Sequence, residues 1–109
     1  MGGISDPFLR SGNLDIERIY VKTLSQNWNI TVNVINRGTE RTVITFLEVR
    51  TEYDSLNISL NIPIVSGEEK SFQFILTQQN FNPDTYVEIC LHTSDGEEYM
   101  EPILLPAQK

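Results

Sequence analysis

The chain has 109 residues, of which 39% are hydrophobic and 21% are charged. This length suits a single domain, and the composition is too apolar for a disordered chain and too interrupted by charge for a membrane-spanning segment. Eight basic residues against fifteen acidic ones give a net charge of −7. The resulting negative field repels phosphate backbones, which argues against a nucleic-acid partner.

A flexible tether is predicted for residues 1–13, which contain Gly, Ser, Asp and Pro with little periodicity. The opening Met1-Gly2-Gly3 reads like a junction added for expression. We therefore hypothesise that a natural N-terminal segment, such as an anchor, has been removed. An open reading frame that begins at this same methionine would refute the hypothesis.

Two strands are predicted before a clear break at Asn36-Arg37-Gly38. The first begins at Leu14, and its alternation slips at Arg18, which is typical of a β-bulge. The second has the cleanest period of two in the chain. Its residues predicted to face a core are Trp28, Ile30, Val32 and Val34.

The third and fourth strands are predicted over Thr42 to Tyr53 and Leu56 to Ile64. The third has β-branched and aromatic residues on both faces, which indicates that both are at least partly covered. We assign one face to Val43, Thr45, Leu47 and Val49 and the other to Ile44 and Phe46. Pro63 lacks an N–H, so the fourth strand is expected at a sheet edge or a bend.

Three further strands are predicted over Phe72 to Thr77, Tyr86 to Thr93 and Glu98 to Leu105. Asp95-Gly96 is typical of the hairpin turn between the last two, because Asp-Gly accepts the positive φ that such turns need. Proline residues at 102 and 106 indicate that the last strand also lies at an edge. Residues 106–109 are assigned to a C-terminal tail.

Seven strands with regularly spaced turns and no helical periodicity predict an all-β protein, an immunoglobulin-like antiparallel β-sandwich over residues 14–105. Tyr86, at the start of the sixth strand, occupies the place where such folds often keep a tyrosine whose hydroxyl bonds back to the chain. Cys90 is the only cysteine, so the Cys-Trp-Cys hallmark of antibody domains is missing. The prediction is therefore of the architecture and not of that family.

Four segments carry a resemblance to known proteins: NITVNVINRG at 29–38, SGEEKSFQF at 66–74, DTYVEI at 84–89 and TSDGEEY at 93–99. They resemble cell-surface β-sandwich modules of archaea. These are adhesion-type modules with V-x-N-x-G and P-G-E-S motifs, and the globular domains of type IV pilin-like proteins, including stator components of the archaellum. The resemblance covers nearly all of Leu14 to Leu105.

This resemblance implies an extracellular or cell-surface (pseudoperiplasmic) module without an active site. Its partner would be another envelope or filament protein, an S-layer protein among the candidates. The apolar N-terminal helix expected of pilin-like proteins is absent from the sequence, so this assignment and any membrane attachment require the removed segment. Two other functions stay open: a carbohydrate- or calcium-binding accessory module of an extracellular protein, and a cytosolic structural subunit.

Candidate catalytic residues are sparse. His92 is the only histidine and lies two positions from Cys90 in a predicted strand, which places their Cβ atoms about 6.5 to 7 Å apart. We interpret that distance as too long for a direct nucleophile–base hydrogen bond, and no third group is expected to orient the pair. We therefore predict no catalytic residue, no cofactor and no enzymatic activity.

One end of the sandwich is predicted to be acidic, because the second–third, fourth–fifth and sixth–seventh strand connections meet there in this type of fold. The carboxylates that could bind calcium at this end are Glu68, Glu69, Asp95, Glu97 and Glu98. The loops lack the alternating Asp-x-Asp-x-Asp spacing of a dedicated calcium site. We therefore interpret these residues as solvated turn charges and predict no metal site.

Five residues are candidates for binding a partner. Trp28 and Phe81 are predicted near the opposite end, among amide side chains typical of a recognition surface for protein or sugar, although Phe81 also suits a plug that closes the core. Ile44, Phe46 and Tyr86 are predicted to face outward along a proline-free rim. Because such a rim can pair with a second copy or a partner strand, a homodimer is predicted.

Two sequons, Asn29-Ile30-Thr31 and Asn57-Ile58-Ser59, match the acceptor pattern for N-glycosylation. Both asparagines are predicted to lie on outward-facing sides of strands. Asn29 and Asn57 are therefore candidate glycosylation sites.

Overall fold

The computed structural model describes residues 14–107, which form seven antiparallel strands in two sheets. In chain order the strands are β1 Leu14–Thr23, β2 Asn27–Asn36, β3 Thr42–Arg50, β4 Ser55–Ile64, β5 Glu69–Thr77, β6 Thr85–Thr93 and β7 Glu98–Leu105. The prediction of an all-β, immunoglobulin-like sandwich of about seven strands is confirmed. The proposed tether at residues 1–13 lies outside the described residues.

The two sheets contain three and four strands, in the orders β1-β2-β5 and β4-β3-β6-β7. β4 pairs with β3 and not with β5, whereas in a constant-type immunoglobulin domain the fourth strand belongs to the other sheet. Both strands that contain a proline, β4 with Pro63 and β7 with Pro102, lie at edges of the four-stranded sheet. This placement confirms the prediction from the missing N–H groups.

The core lies between the sheets and is filled by the alternate residues of each strand. In β2 every second residue from Trp28 to Asn36 is buried, because this strand is central in its sheet and has only one face toward the other layer. The buried apolar cluster comprises Leu14, Trp28, Ile30, Val32, Val34, Ile44, Leu47, Val49, Ile64, Phe74, Leu76, Phe81, Val87, Ile89, Leu91, Ile103 and Leu105.

Two irregularities decide which residues face this core. The register of β1 shifts between Ile16 and Arg18, which confirms the predicted bulge. A second shift, between Ile44 and Phe46 of β3, was not predicted. Relative to β6, it inserts Thr45 as an extra residue, so that Ile44 is buried before the bulge and Leu47 after it.

The face assignment for β3 was therefore wrong in its first half. A strict period of two places Val43 and Thr45 with Leu47, whereas the bulge turns Val43 outward and Ile44 inward. The Thr45 hydroxyl donates a hydrogen bond of 3.1 Å to the His92 carbonyl. This bond gives the extra residue a polar partner on the neighbouring strand.

The loops gather at the two ends of the sandwich as predicted. At one end the backbone N–H of Asn36 donates to the Glu68 carbonyl at 2.9 Å, and the backbone N–H of Ser94 donates to the Val43 carbonyl at 2.9 Å. At the other end the Gln78 amide donates to the Gln26 carbonyl at 3.0 Å. We call the first the acidic end and the second the aromatic end.

Asn36 is the polar centre of the acidic end, and its side chain is fully buried. Its amide nitrogen donates to the carbonyls of Glu40 at 2.9 Å and Ile64 at 3.0 Å, and its amide oxygen accepts from the Gly38 N–H at 2.9 Å. One side chain thereby fixes the β2–β3 turn against the end of β4.

The β6–β7 turn depends on a glycine. Gly96 has a φ of 85°, and a Cβ at this position would meet no atom within 4 Å. We expect Gly96→Ala to lower the free energy of unfolding by about 1 to 2 kcal/mol, the backbone cost of a left-handed residue. Gly96→Asn should lose less, because asparagine tolerates this conformation. Urea denaturation of both variants checks the prediction, and an alanine variant as stable as the asparagine variant would contradict it.

Among residues 14–107, no helix has the length and apolar character that crossing a membrane requires. Pro106 and Ala107 follow β7 without regular structure.

Candidate functional site

The outer face of the four-stranded sheet carries the most chemically varied side chains that the structure describes. Pairing between β3 and β6 arranges these side chains in rows. Arg50 lies opposite Glu88, Glu48 lies opposite Cys90, and Phe46 lies opposite His92. On the far side of β6, Cys90 pairs with Met100 and His92 pairs with Glu98 of β7. Side chains in neighbouring rows are within reach of one another.

Cys90, His92 and Glu48 form a compact group on this face. The Cys90 Sγ lies 3.4 Å from His92 Nε2, and that same nitrogen lies 3.2 Å from Glu48 Oε1. The prediction that the cysteine and histidine stay out of reach was wrong. Their Cβ separation along the strand does not limit the contact, because the imidazole extends back toward the thiol.

Two further groups orient the imidazole, which contradicts the prediction that no third group would do so. The ring of Phe46 stacks on that of His92, with 4.1 Å between centroids and 8° between planes. The other ring nitrogen, Nδ1, lies 3.8 Å from Glu98 Oε2. A spacing of two residues in each strand could have indicated this group. Phe46 and Glu48 on β3, and Cys90 and His92 on the neighbouring strand β6, all face outward on the same side of the sheet.

The electrostatics of the group disfavour a nucleophilic role for the thiol. Cys90 is fully buried beneath its neighbours, and burial raises the pKa of its thiol, an effect that the nearby Arg50 charge only partly offsets. Arg50 donates to Glu48 at 3.0 Å, and this bond, together with that to His92, lowers the pKa of the Glu48 carboxyl. The site therefore pairs an ionised carboxylate with a buried, neutral thiol.

The acidic end does not bring its five candidate carboxylates together as a ligand set. Within the described part of the chain, the one group of three or more Cys, His, Asp or Glu side chains with ligand atoms within 4.8 Å of one another is Glu48, Cys90 and His92. Four of the five carboxylates have other contacts, and Glu69 is exposed at the start of β5. Glu68 accepts from the Val65 amide and lies near Lys70, Tyr99 donates to Glu97, and Glu98 faces His92.

Asp95, another of these candidates, belongs to the β6–β7 turn. The buried Thr42 hydroxyl donates to its Oδ1 at 2.6 Å. This hydrogen bond is the main reason that the pKa of Asp95 lies below its usual value. The interaction fastens the turn to the first residue of β3.

We expect Thr42→Val to raise the pKa of Asp95 toward the ordinary value of about 3.9. A carboxyl whose pKa is lower in the folded state than in the unfolded state stabilises the protein when the pH is above the unfolded-state pKa. This stabilisation is lost as the pH falls through the folded-state pKa. The variant should therefore show a weaker loss of stability below about pH 4. An NMR titration of Asp95 checks the shift, with Thr45→Val as the control that leaves the Asp95 contact intact. An unchanged Asp95 pKa in Thr42→Val would contradict the assignment.

A shallow depression of about 310 Å³ lies at the aromatic end, between the β3–β4 turn and the β5–β6 loop. Tyr53 and Tyr86 border it with 89% and 71% of their surfaces exposed, and the buried Phe81 contributes to its floor. Asp54, Asn80 and Asn82 also line it. We call this feature the tyrosine depression. Tyr53 was not among the predicted site residues, although it stands beside the turn residue Asp54.

The five predicted partner-binding residues differ in burial and position. Trp28 and Ile44 have no exposed surface, so the prediction that they face a partner was wrong. The Trp28 Nε1 donates to the Pro106 carbonyl at 3.0 Å. Phe81 is buried as a plug of the core, which is the alternative that the sequence left open. Phe46 is half-buried against His92, and Tyr86 is exposed.

The location of the rim also needs correction. β3 and β6 are the inner strands of their sheet, so the residues at 44, 46 and 86 cannot form an unpaired edge. Tyr86 likewise points outward, so it is not the tyrosine that bonds back to the chain in related folds.

The two sequon asparagines differ in accessibility. Asn57 is exposed on the edge strand β4. Asn29 is half-buried on the central strand β2, and its side-chain oxygen is buried. Glycosylation stays a prediction for both, and the geometry favours Asn57.

No protein-family model and no curated protein matches this chain. Among solved structures, it is similar to a family GH2 beta-galacturonidase from Eisenbergiella tayi bound to galacturonate, with a TM-score of 0.60 and 16% identity over 86% of this chain. The chain covers 18% of that enzyme. A target of the Northeast Structural Genomics Consortium is 11% identical, with 87% of each chain covered and a TM-score of 0.47. The similarity to the enzyme shows a shared β-sandwich fold and nothing about activity.

Proposed function

We propose that this chain is a non-enzymatic protein-interaction module of an archaeal cell envelope or surface filament, and that it binds its partner through the tyrosine depression. The observation that carries the proposal is the pair of exposed tyrosines beside one depression. Tyrosine is enriched in binding interfaces because it offers a large apolar ring and a polar hydroxyl at low entropic cost. The cell-surface setting, archaellum and pilus included, rests on the sequence resemblance.

The surroundings of the depression suit a docking surface. Leu104 of β7 lies opposite Tyr86, and both are exposed, so the apolar surface continues onto the neighbouring strand. The plug residue Phe81 and the strand pairing beneath it hold the floor in place. A preorganised surface of this kind loses little conformational freedom when a partner binds.

The experiment places a photo-crosslinking residue at the site in the full-length protein, expressed in its own cells. Tyr86→p-benzoylphenylalanine should yield a crosslink to one envelope or filament protein. The matched control is the same substitution at Tyr20, which is 49% exposed on the three-stranded sheet. A crosslink of equal strength from both positions, or none from position 86, would contradict the proposal.

A carbohydrate-binding accessory module is the second candidate, because the depression also combines aromatic rings with the amides of Asn80 and Asn82. Aromatic faces and convergent amides together suit sugar recognition. A glycan array distinguishes the two functions. Binding of a glycan that is lost in both Tyr53→Ala and Tyr86→Ala would favour the second candidate over the first.

A second copy of the chain is a further partner that we propose, at a site different from the predicted rim. Of the four edge strands, β4 and β7 contain proline and β1 contains a bulge, which leaves β5 as the regular open edge among the described strands. Pairing of two β5 strands would extend both three-stranded sheets. Light scattering that gives the monomer mass at high concentration would contradict the dimer.

A further inference from the structure

We propose that Glu48, Cys90 and His92 bind one divalent transition-metal ion of the zinc type on the outer face of the four-stranded sheet. This inference is independent of the proposed docking function, because it rests on a different set of side chains. The three ligand atoms lie within 4.8 Å of one another.

Two of the three distances between the ligand atoms already match those of a tetrahedral site. Zinc bonds of about 2.3 Å to sulfur and 2.0 to 2.1 Å to nitrogen and oxygen place the sulfur about 3.5 Å from the nitrogen and the nitrogen about 3.3 Å from the oxygen. The observed separations are 3.4 Å for Cys90 Sγ to His92 Nε2 and 3.2 Å for His92 Nε2 to Glu48 Oε1. Metal binding therefore requires little change in these two separations, and the third ligand pair, Cys90 Sγ and a Glu48 carboxylate oxygen, lies within 4.8 Å.

The arrangement of the imidazole distinguishes this group from a catalytic triad. In a nucleophile–histidine–carboxylate triad, the two ring nitrogens serve different partners. Here one nitrogen, His92 Nε2, faces both the Cys90 sulfur and the Glu48 oxygen. Three ligand atoms within 4.8 Å of one another can be ligands of one cation.

The backbone that holds the ligands is regular. Glu48 and Cys90 are direct partners on β3 and β6, and His92 follows two residues later on the same face of β6. Both strands are internal, so hydrogen-bonded neighbours on each side fix their positions. Sites built on such elements hold their geometry better than sites on loops.

A second layer of contacts fixes the histidine in the orientation that a metal needs. Phe46 stacks on the ring, and Glu98 Oε2 lies 3.8 Å from Nδ1. A carboxylate beside the distal nitrogen is the usual second-shell partner of a metal-bound histidine, because it places the ring proton on that nitrogen. Nε2 is then free to donate its lone pair to the metal.

Arg50 is the group that competes with a cation, since it donates to Glu48 Oε1 at 3.0 Å. It also lies 3.6 Å from Glu88, which offers the guanidinium another carboxylate when the metal binds Glu48. The thiol loses its proton on coordination. A thiolate and a carboxylate then balance the two charges of the metal ion.

The donor set selects the class of metal. Thiolate and imidazole favour zinc and related transition metals, whereas calcium and magnesium require oxygen ligands. Three protein ligands on an outer sheet face leave a fourth position for water or for a donor group from a partner.

The test uses Co²⁺ as a spectroscopic probe of the full chain after treatment with a chelator. We expect one equivalent of Co²⁺ to give a thiolate-to-cobalt charge-transfer band and tetrahedral d–d bands, and Zn²⁺ to displace it. Cys90→Ser should abolish the charge-transfer band, and Glu48→Gln should weaken binding at least about tenfold. Glu101→Gln is the control, because it makes the same change at an exposed position of β7 in the same sheet, and it should keep the affinity within about twofold.

A second measurement does not depend on a cysteine variant that folds. Zn²⁺ at 100 times its dissociation constant should stabilise the wild-type protein by a factor of about 100 in the folding equilibrium. This gain should fall to a factor of about 11 or less in Glu48→Gln and stay near 100 in Glu101→Gln. Absence of a charge-transfer band in the wild-type protein, or equal stabilisation of Glu48→Gln and wild type by Zn²⁺, would overturn the proposal.

Discussion

Replacing Trp28 by alanine is expected to lower the free energy of unfolding by about 3 to 5 kcal/mol, the range for large aromatic side chains removed from a core. Trp28 has no exposed surface. It lies near the start of the central strand β2, where it pairs with Thr23 and Leu76. Its indole also donates to the Pro106 carbonyl at 3.0 Å, so the substitution creates a cavity and releases the chain that follows β7.

Urea denaturation monitored by circular dichroism measures this loss. Trp28→Phe keeps most of the ring volume and gives up the indole hydrogen bond, so it should cost less than the alanine variant. Tyr20→Ala removes an exposed aromatic from the neighbouring strand and should change stability by no more than about 0.5 kcal/mol. A Trp28→Ala variant that loses no more than Tyr20→Ala would contradict the position of the indole in the core.

Asn36→Ala is expected to lower the free energy of unfolding by about 2 to 4 kcal/mol, because it removes three hydrogen bonds, of which the one to the Ile64 carbonyl is buried. The side-chain amide of Asn36 donates to the Glu40 and Ile64 carbonyls and accepts from the Gly38 N–H. The residue is fully buried. Denaturation in urea measures the loss. Ser71→Ala, which removes an exposed hydroxyl that donates to Asn33, is a control with a small expected effect.

Asn36→Asp tests the same contacts through pH. A carboxylate cannot donate to the two carbonyls, and burial disfavours its charged form, so the introduced carboxyl should have a raised pKa in the folded state. A raised folded-state pKa for an acid means that stability falls as the pH rises above the unfolded-state value of about 3.9. We therefore expect Asn36→Asp to lose stability relative to the wild-type protein between about pH 4 and pH 7. A constant difference across this range would show that the side chain is solvated.

Much of the fold could be predicted because single-sided burial leaves a period of two in the sequence. β2 is the clearest case, since every inward residue from Trp28 to Val34 is apolar and every intervening residue is polar. Pro63 and Pro102 indicated the two edge strands, because a residue without an N–H cannot donate the hydrogen bond that a central strand needs. These signals are local, and local signals survive in a single sequence.

The bulge in β3 could not be predicted, because it depends on the register with two neighbouring strands. Val43 and Ile44 are both β-branched, and either suits a core, so the composition does not say which faces inward. The shift relative to both β4 and β6 decides it. The misplacement of Ile44 on an outer surface follows directly from this missing information.

Phe81 and Tyr86 of the tyrosine depression were among the predicted partner-binding residues, but neither site was predicted as a whole, for a related reason. Sequence spacing gives the separation of Cys90 and His92 along the strand but not the conformation of the imidazole, and Glu48 joins them only through strand pairing. Tyr53 and Tyr86 are 33 positions apart in the sequence, and they meet at one depression because the β3–β4 turn and β6 share an end of the sandwich. Contacts between distant segments need the topology before they can be recognised.

The chain joins the sandwich at Leu14, beside the last residue of β2, and leaves after Leu105, beside the first residue of β6. These points are at opposite ends, so tension applied through the flanking chain would pull β1 and β7 along their own lengths in opposite directions. Hydrogen bonds between antiparallel strands run perpendicular to the strands. A force along the strands must therefore break many of these bonds at once. Forced unfolding is governed by the rate of crossing that barrier, which makes this topology suited to bearing mechanical stress.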